Sequence, residues 1–444
     1  MNKARYRQIL LTVSVVILSL SCFNRLSIEF NRLIVSQGYS GAIDLKTFLI
    51  AVQLWFSGAP TYGDLPSAVY PPASYLMLWP FLGWSSILTA RVIWALTTLP
   101  ALVWLIYLSV QQSGAKSWQM QALIALLPVF YATRTGIGNG QLMLHLMPLL
   151  LASLLMFQQP KGPKLLLAAA MFVGALIKPN VSAPFFWIVL FAYRKQRYWP
   201  VLCVTLGYGL LTLVAASFQE GSAISLMQQW FSRAEIGAEV GAQTGGYANP
   251  NSWLSYLEAS TNLENYPLLK YVGDFEMNTP LTLLILLGLG LWVFWHRGVE
   301  LWLIIGVCAI VARLWTYHRI YDDLLILLPT IATFRVFKQS NHLKDGLVLK
   351  RGTAGVVFVV AYIAATIPAN WLLESPIQLL LKPFQIIVWL GLLGFLGVCA
   401  WVDRQHLNQP VHRTLDLERH NALPDCCLGT AGPGQLGDWT DGTK

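Results

Sequence analysis

The chain has 444 residues, of which 55% are hydrophobic and only 11% charged, and its mean hydropathy is +0.54; an ordinary soluble globule is excluded. The formal charge of +9 fits cytoplasmic loops of a polytopic membrane protein rather than a nucleic-acid surface, and eighteen Trp suit residues at headgroup level. Of six Cys, Cys22, Cys203, Cys308 and Cys399 lie in apolar runs and Cys426 and Cys427 near the C-terminus, so no disulfide framework is visible.

Lys3, Arg5 and Arg7 precede an apolar run from Ile9 to Leu20. A signal peptide would look similar, and Ser19-Leu20-Ser21-Cys22 hints at a lipoprotein box with Ser and Leu transposed. The many later apolar segments favour an uncleaved first helix, which leaves Asp44 outside. Runs of near-spanning length predict helices at about 8–24, 89–110, 118–134, 140–157, 164–178, 180–193, 199–217, 280–296, 299–316, 322–337, 353–369 and 377–401, which makes about twelve spans. With that parity the inner turns carry Lys116, then Lys161 and Lys164, then Arg194, Lys195 and Arg197, then Arg297, then Lys338, Lys344, Lys350 and Arg351. Each inner turn is therefore positive, as orientation in a membrane requires.

The parity holds only if Pro72 to Trp84 does not cross. Its two prolines and short apolar run predict a helix lying in the outer interface. The runs 164–178 and 180–193 are short for spans and leave room for a cavity. The fold expected is thus all-α and polytopic, with one transmembrane domain over residues 1–401, extracytoplasmic loops at 25–88 and 218–279, and a polar, disordered cytoplasmic tail at 402–444. The segment 218–279, rich in glycine and containing Asn249-Pro250-Asn251, reads as a flexible loop with a short helix around Ser252 to Ala259, long enough to serve as a lid.

Polar residues collect at the outer helix ends: Asp44, Asn139 and Gln141, Lys178 and Asn180, and the run His318-Arg319-Ile320-Tyr321-Asp322-Asp323. A charge at mid-membrane costs roughly 3 kcal/mol on insertion scales and would suggest an ion pathway. These residues converge instead on one surface.

Four pieces in order carry a resemblance: Asp44 with Gly58-Ala-Pro-Thr-Tyr62; Tyr70-Pro71-Pro72 with Trp79-Pro80; Gly138-Asn-Gly-Gln141 with Leu142, Leu144 and Leu146; and Ile177-Lys178-Pro179-Asn180 leading to Phe191-Ala-Tyr-Arg-Lys195. Over about residues 40–340 the chain resembles glycosyltransferase family 87, the polyprenol-phosphate-sugar-dependent mannosyltransferase group of the GT-C superfamily. The resemblance implies a GT-C-like fold at the inner membrane, with an extracytoplasmic active site. It also implies transfer of mannose or another hexose or pentose from a polyprenyl-phosphate donor to a lipid or glycan acceptor, with inversion and without a cofactor. Where the family commonly shows a Ser-Trp and His-containing run, this chain has Trp315-Thr-Tyr-His318-Arg319-Ile-Tyr-Asp322-Asp323. His318 stands for the family's histidine, or Asp322 and Asp323 replace it.

A sugar on polyprenyl phosphate brings its own leaving group, so the enzyme must deprotonate the acceptor hydroxyl and hold the departing phosphate. Asp44 suits the general base, or caps the following helix. Lys178, before Pro179, suits a phosphate partner beside free helix donors, or snorkels to headgroups. Arg319 is a second phosphate candidate, or pairs with Asp322 or Asp323. His318 orients the acceptor, carries a proton, contacts phosphate or is structural. Asp322 and Asp323 resemble a metal dyad, but two acids at a helix start also suit the helix dipole, which is the reading favoured. Asn139 and Gln141 bond sugar hydroxyls or helix backbone, and Tyr70 and Asn180 complete the substrate-binding set. No Gly-rich phosphate loop points to a nucleotide sugar. The alternative function is a transporter or flippase for lipid-linked oligosaccharide, which would need a polar path through the membrane.

Overall fold

The computed structural model describes residues 3–36, 41–159, 162–193, 198–243, 279–316, 318–339, 351–366 and 377–408, and among them every regular element is helical. The expected inner charges Lys161, Arg194, Lys195, Arg197, Lys344 and Lys350, the short helix at 252–259 and the tail beyond 408 lie outside the described residues.

Helix α1 (Lys3–Ile34) continues ten residues past the expected end at 24, because Arg25, Glu29 and Arg32 recur on a helical spacing and Glu29 pairs with Arg32 at 3.1 Å. The segment read as an outer loop then holds α2 (Ile43–Phe56), α3 (Thr61–Asp64) and α4 (Pro72–Leu82). Helix α4 is the element expected around Pro72 to Trp84, opened by proline at its first turn. α5 (Ile87–Ser113) starts at Ser86, whose side chain accepts from the Thr89 amide, and stops at Gly114 in the left-handed region.

Next come α6 (Trp118–Leu126), α7 (Tyr131–Asn139), α8 (Met143–Met156), α9 (Pro163–Ala175), the short α10 (Pro179–Ser182) and α11 (Phe186–Phe191). The axis turns by 119° between Pro163–Ala175 and Pro179–Phe191. The cause is local: Lys178 precedes a proline, which drives it out of helical geometry to φ −121°, and Pro179 then opens the next helix. α12 (Tyr198–Ala216), α13 (Ala223–Gln243), α14 (Thr279–Trp295), α15 (Leu301–Leu314), α16 (Leu327–Gln339), α17 (Arg351–Thr366) and α18 (Ile377–Asn408) follow. The helix expected at 322–337 begins at Leu327, with a tighter 3-10 stretch over Ile320–Ile326 in front of it.

Four described helices are long and apolar enough to cross a membrane, Gln8–Ile34, Ile87–Ser113, Tyr198–Ala216 and Phe384–Leu407, or six when each of two bent pairs counts as one span. Met143–Met156, Leu283–Trp295, Leu301–Leu314 and Gly352–Thr366 are apolar but shorter. Among the described residues, length and composition thus give four to six candidate spans.

Helices α2 and α4 are pinned to the bundle by aromatic side chains. Trp55 of α2 is fully buried, stacks on Tyr75 of α4 at 4.8 Å and donates from Nε1 to the Ala215 carbonyl of α12 at 2.9 Å. Burial of a large apolar side chain contributes about 1.5–3 kcal/mol and each such bond about 1 kcal/mol net. From α4, the Ser74 hydroxyl donates to the Ile177 carbonyl at 2.7 Å, so its first turn is tied to the bend at Lys178. Asp44 and Lys178 are therefore held by one rigid frame.

Candidate active site

Asp44 is in the first turn of α2 but is not its cap. The capping position is Ala42, in the left-handed region at φ 54° with no side-chain bond, so the capping alternative for Asp44 does not hold. A non-glycine residue there costs about 1–3 kcal/mol and must be held by its surroundings. Here the Ala42 amide donates to the Gly138 carbonyl at 2.9 Å. Gly140, at φ 72°, ends α7 in the same place; a β-carbon on it would come within 2.5 Å of the Leu45 side chain. Only glycine lets α7 and α2 touch so closely, and that contact sets Asn139 and Gln141 against the Asp44 carboxyl.

Asn139 is itself oriented from α1. Arg32 donates to its Oδ1 at 2.7 Å and to the Thr135 carbonyl at 3.3 Å, which leaves the amide nitrogen to face Asp44. The Arg91 guanidinium donates to the Ser36 carbonyl at 2.8 Å and the Gly41 carbonyl at 3.0 Å, holding the chain on either side of the α1–α2 junction.

Burial raises the Asp44 pKa above the ordinary carboxylate range. Opposing it are, in order, a hydrogen bond from Gln141, the charges of Arg319 and Lys178, and a hydrogen bond from Asn139. Oδ2 of Asp44 is buried with no hydrogen-bond partner among the described residues, and so is Oε1 of Gln141. Such orphaned atoms are costly in a folded protein and mark a place built for something else.

The second half of the site lies around the bend and the 3-10 turn. Lys178 is 7% exposed and its Nζ donates to Oδ1 of Asp322 at 2.5 Å, with the ring of Tyr321 4.9 Å away. It does not snorkel. The other oxygen of Asp322, Oδ2, lies 3.0 Å from Nδ1 of His318. Burial alone would raise the pKa of Asp322, but Lys178 and His318 outweigh it and hold the carboxyl well below its usual range. His318, 1% exposed, has its pKa lowered by burial despite that carboxylate. A neutral imidazole facing a carboxylate carries its proton on Nδ1, so Nε2 presents a lone pair, and Nε2 is buried without a partner among the described residues.

Asp323 turns the other way, to Arg313 of α15, which is fully buried and bonds it through Nε at 2.6 Å and through a second nitrogen. The two acids therefore serve separate cations, and neither is simply a helix-start charge. Among the described residues no three His, Cys, Asp or Glu are grouped to hold a metal ion. Arg319 is exposed, and its charge acts on Asp44, Tyr70 and Tyr321. Tyr70 is half-buried, edge-on to Phe48 at 5.2 Å, and its phenol is pushed up by burial and by the charges of Asp322 and Asp44, so it remains a hydrogen-bond donor. Asn180 is half-buried, and its carbonyl accepts from Nε1 of Trp315 at 2.7 Å.

Asp44, Asn139, Gln141, Tyr70, Lys178, Arg319 and Asp322 thus interact through bonds or charge, with His318 joined through Asp322. The family model for glycosyltransferase family 87 matches residues 68–337, more than half of the chain. The chain belongs to glycosyltransferase family 87. No curated protein and no solved structure matches it. As a family 87 protein it is a membrane glycosyltransferase, which takes a sugar donor and an acceptor. The matched stretch holds every residue of the site except Asp44, which the α2–α7 contact brings in from outside it. Sequence reasoning missed Arg32, Arg91 and Arg313; the signal for Arg313 was a lone arginine inside an apolar run.

Proposed function

We propose that this protein transfers a sugar, mannose or another hexose or pentose, from a polyprenyl-phosphate donor to a lipid or glycan acceptor, with inversion. The site would lie at the extracytoplasmic face of the inner membrane, in a twelve-span arrangement with α4 seated in the outer interface. The observation that carries the reading is Asp44: a carboxyl with a raised pKa and an unspent oxygen, beside cations, in a family 87 glycosyltransferase.

In this mechanism Oδ2 of Asp44 takes the proton of the acceptor hydroxyl. The acceptor oxygen forms its bond to the anomeric carbon from the opposite face as the bond to the phosphate oxygen breaks. The electron pair leaves with polyprenyl phosphate, and Arg319 neutralises the charge it gains by contact. Lys178, spent on Asp322, contributes its field to the phosphate and keeps Asp322 aligned on His318. Nε2 of His318 accepts a hydrogen bond from a substrate hydroxyl. Tyr70, Asn139, Gln141 and Asn180 line the sugar site.

Purified protein given a short-chain polyprenyl-phosphate mannose and a lipid acceptor is expected to release polyprenyl phosphate in step with glycosylated product. Equal transfer from a nucleotide sugar would overturn the donor assignment.

The pH dependence follows from the raised Asp44 pKa. A base must be deprotonated, so kcat/KM is expected to fall as pH drops through a value above the ordinary carboxylate range. A rate that stays flat down into that ordinary range would remove Asp44 as the base.

The sidedness is checked by impermeant thiol labelling of single cysteines in a background lacking the native ones. Exposed Ser57 and Ser222, changed to Cys, are expected to label from outside, and Ser117→Cys only after permeabilisation. Labelling of Ser117→Cys from outside would invert the topology.

A further inference from the structure

Away from this site, the ends of α14 and α18 enclose a cavity of about 300 Å³ whose lining includes Phe294, Trp295, Arg297, Val299, Arg404 and Leu407. Two arginines face it and, among the described residues, no acid does. The neighbouring carboxylates are engaged elsewhere: Asp403 accepts from the Glu300 amide at 2.9 Å, and Glu300 holds Arg335 at 2.8 Å. Arg297 lies over the ring of Phe294, 4.3 Å from its centroid. The rim is apolar and faces outward, with Trp295 57% and Leu407 42% exposed.

A cation near a helix C-terminus is ordinary, since the last carbonyls favour positive charge. That accounts for one arginine at each helix end. It does not account for two arginines lining one cavity with no acid between them among the described residues, where their repulsion calls for an anion. Of the two helices, α18 holds a stretch long and apolar enough to cross a membrane, Phe384–Leu407, and α14 an apolar but shorter one, Leu283–Trp295; a cavity at their ends fits the level of lipid headgroups. In the topology proposed above this end faces the cytoplasm, where anionic lipids meet basic pockets between membrane helices.

We propose that the cavity binds the phosphate-bearing headgroup of an anionic membrane lipid, with Arg297 and Arg404 as its charge-assisted donors and the acyl chains lying along Trp295 and Leu407. The site is separate from the transfer chemistry, and its occupancy needs no turnover.

The full chain, purified and delipidated in a neutral detergent, would be titrated with phosphatidylglycerol or with phosphatidylcholine and read by native mass spectrometry. One phosphatidylglycerol is expected to bind ahead of any phosphatidylcholine. Arg297→Gln and Arg404→Gln are each expected to weaken it about tenfold or more, as loss of a hydrogen bond to a charged group does. Lys116→Ala, an exposed basic residue at the same proposed face, is expected to leave it unchanged. Equal binding of the two lipids, or equal loss in Lys116→Ala, would reduce the effect to diffuse surface charge and overturn the proposal. Displacement of the lipid by millimolar inorganic phosphate would overturn the lipid assignment in favour of a soluble anion. Retention is read as mass, so it stands or falls independently of the catalytic reading.

Discussion

Asp44→Asn is expected to reduce sugar transfer by at least 10²–10⁴-fold, about the loss that follows removal of a general base, while the protein still inserts and folds. The amide keeps the size and hydrogen-bonding capacity of the side chain, so Gln141 and the Arg32-oriented Asn139 retain a partner. What disappears is an oxygen able to take a proton. Stability is not expected to fall, because the wild-type carboxyl has its charge opposed by burial and one oxygen without a partner. The comparison to make is initial rate at saturating donor and acceptor, alongside the unfolding temperature in detergent. A well-folded variant with near-normal transfer would sink the base assignment. Lost transfer together with a large drop in unfolding temperature would instead make Asp44 a structural acid.

How the sequence led to this site, and where it stopped, follows from range. Local signals were legible. Pro179 after Lys178 announced both the end of one helix and the start of the next, and the 119° bend is there. The helix at Pro72 was visible from its prolines, and most apolar runs became helices within a few residues of their expected ends. The convergence of polar residues was also legible, because acids and bases stand out in so apolar a chain. Partner choice was not. Lys178 and Asp322 are 144 residues apart, and nothing in their neighbours says that they meet at 2.5 Å. Read alone, Lys178 at a helix end suits phosphate or headgroups equally well, and only its burial against Asp322 separates these. Likewise Asp322 and Asp323 look like a pair in sequence. On the 3-10 turn they diverge, one to Lys178 and His318, the other to Arg313. The start of α2 was equally hidden, since the left-handed Ala42 is held by the Gly138 carbonyl of a distant helix, with Gly140 just beyond it packed against Leu45.

The second large effect concerns that buried ion pair. Lys178→Met and Asp322→Leu, made singly, are each expected to destabilise the protein by about 3–5 kcal/mol, the usual cost of leaving one buried charge without its partner. Made together, they are expected to recover most of that loss, since a hydrophobic pair of similar volume avoids desolvating two ions. Side-chain exposures of 9% and 2% for Lys178 and Asp322 put the pair in the regime where this argument applies. Activity should behave differently. Asp322 also fixes the proton of His318 on Nδ1, so the double variant regains its fold while Nε2 loses its orientation toward substrate. Transfer should therefore stay low in the double variant even where the unfolding temperature has returned. Asp322→Asn, which keeps a hydrogen-bond acceptor for His318 but not the charge for Lys178, should retain more transfer per folded molecule than Asp322→Leu. Thermal unfolding and transfer rate measured on the wild type and all four variants decide the matter. Single variants as stable as the wild type would mean that the pair is solvated. A double variant with full activity would mean that His318 acts without Asp322, or does not act at all.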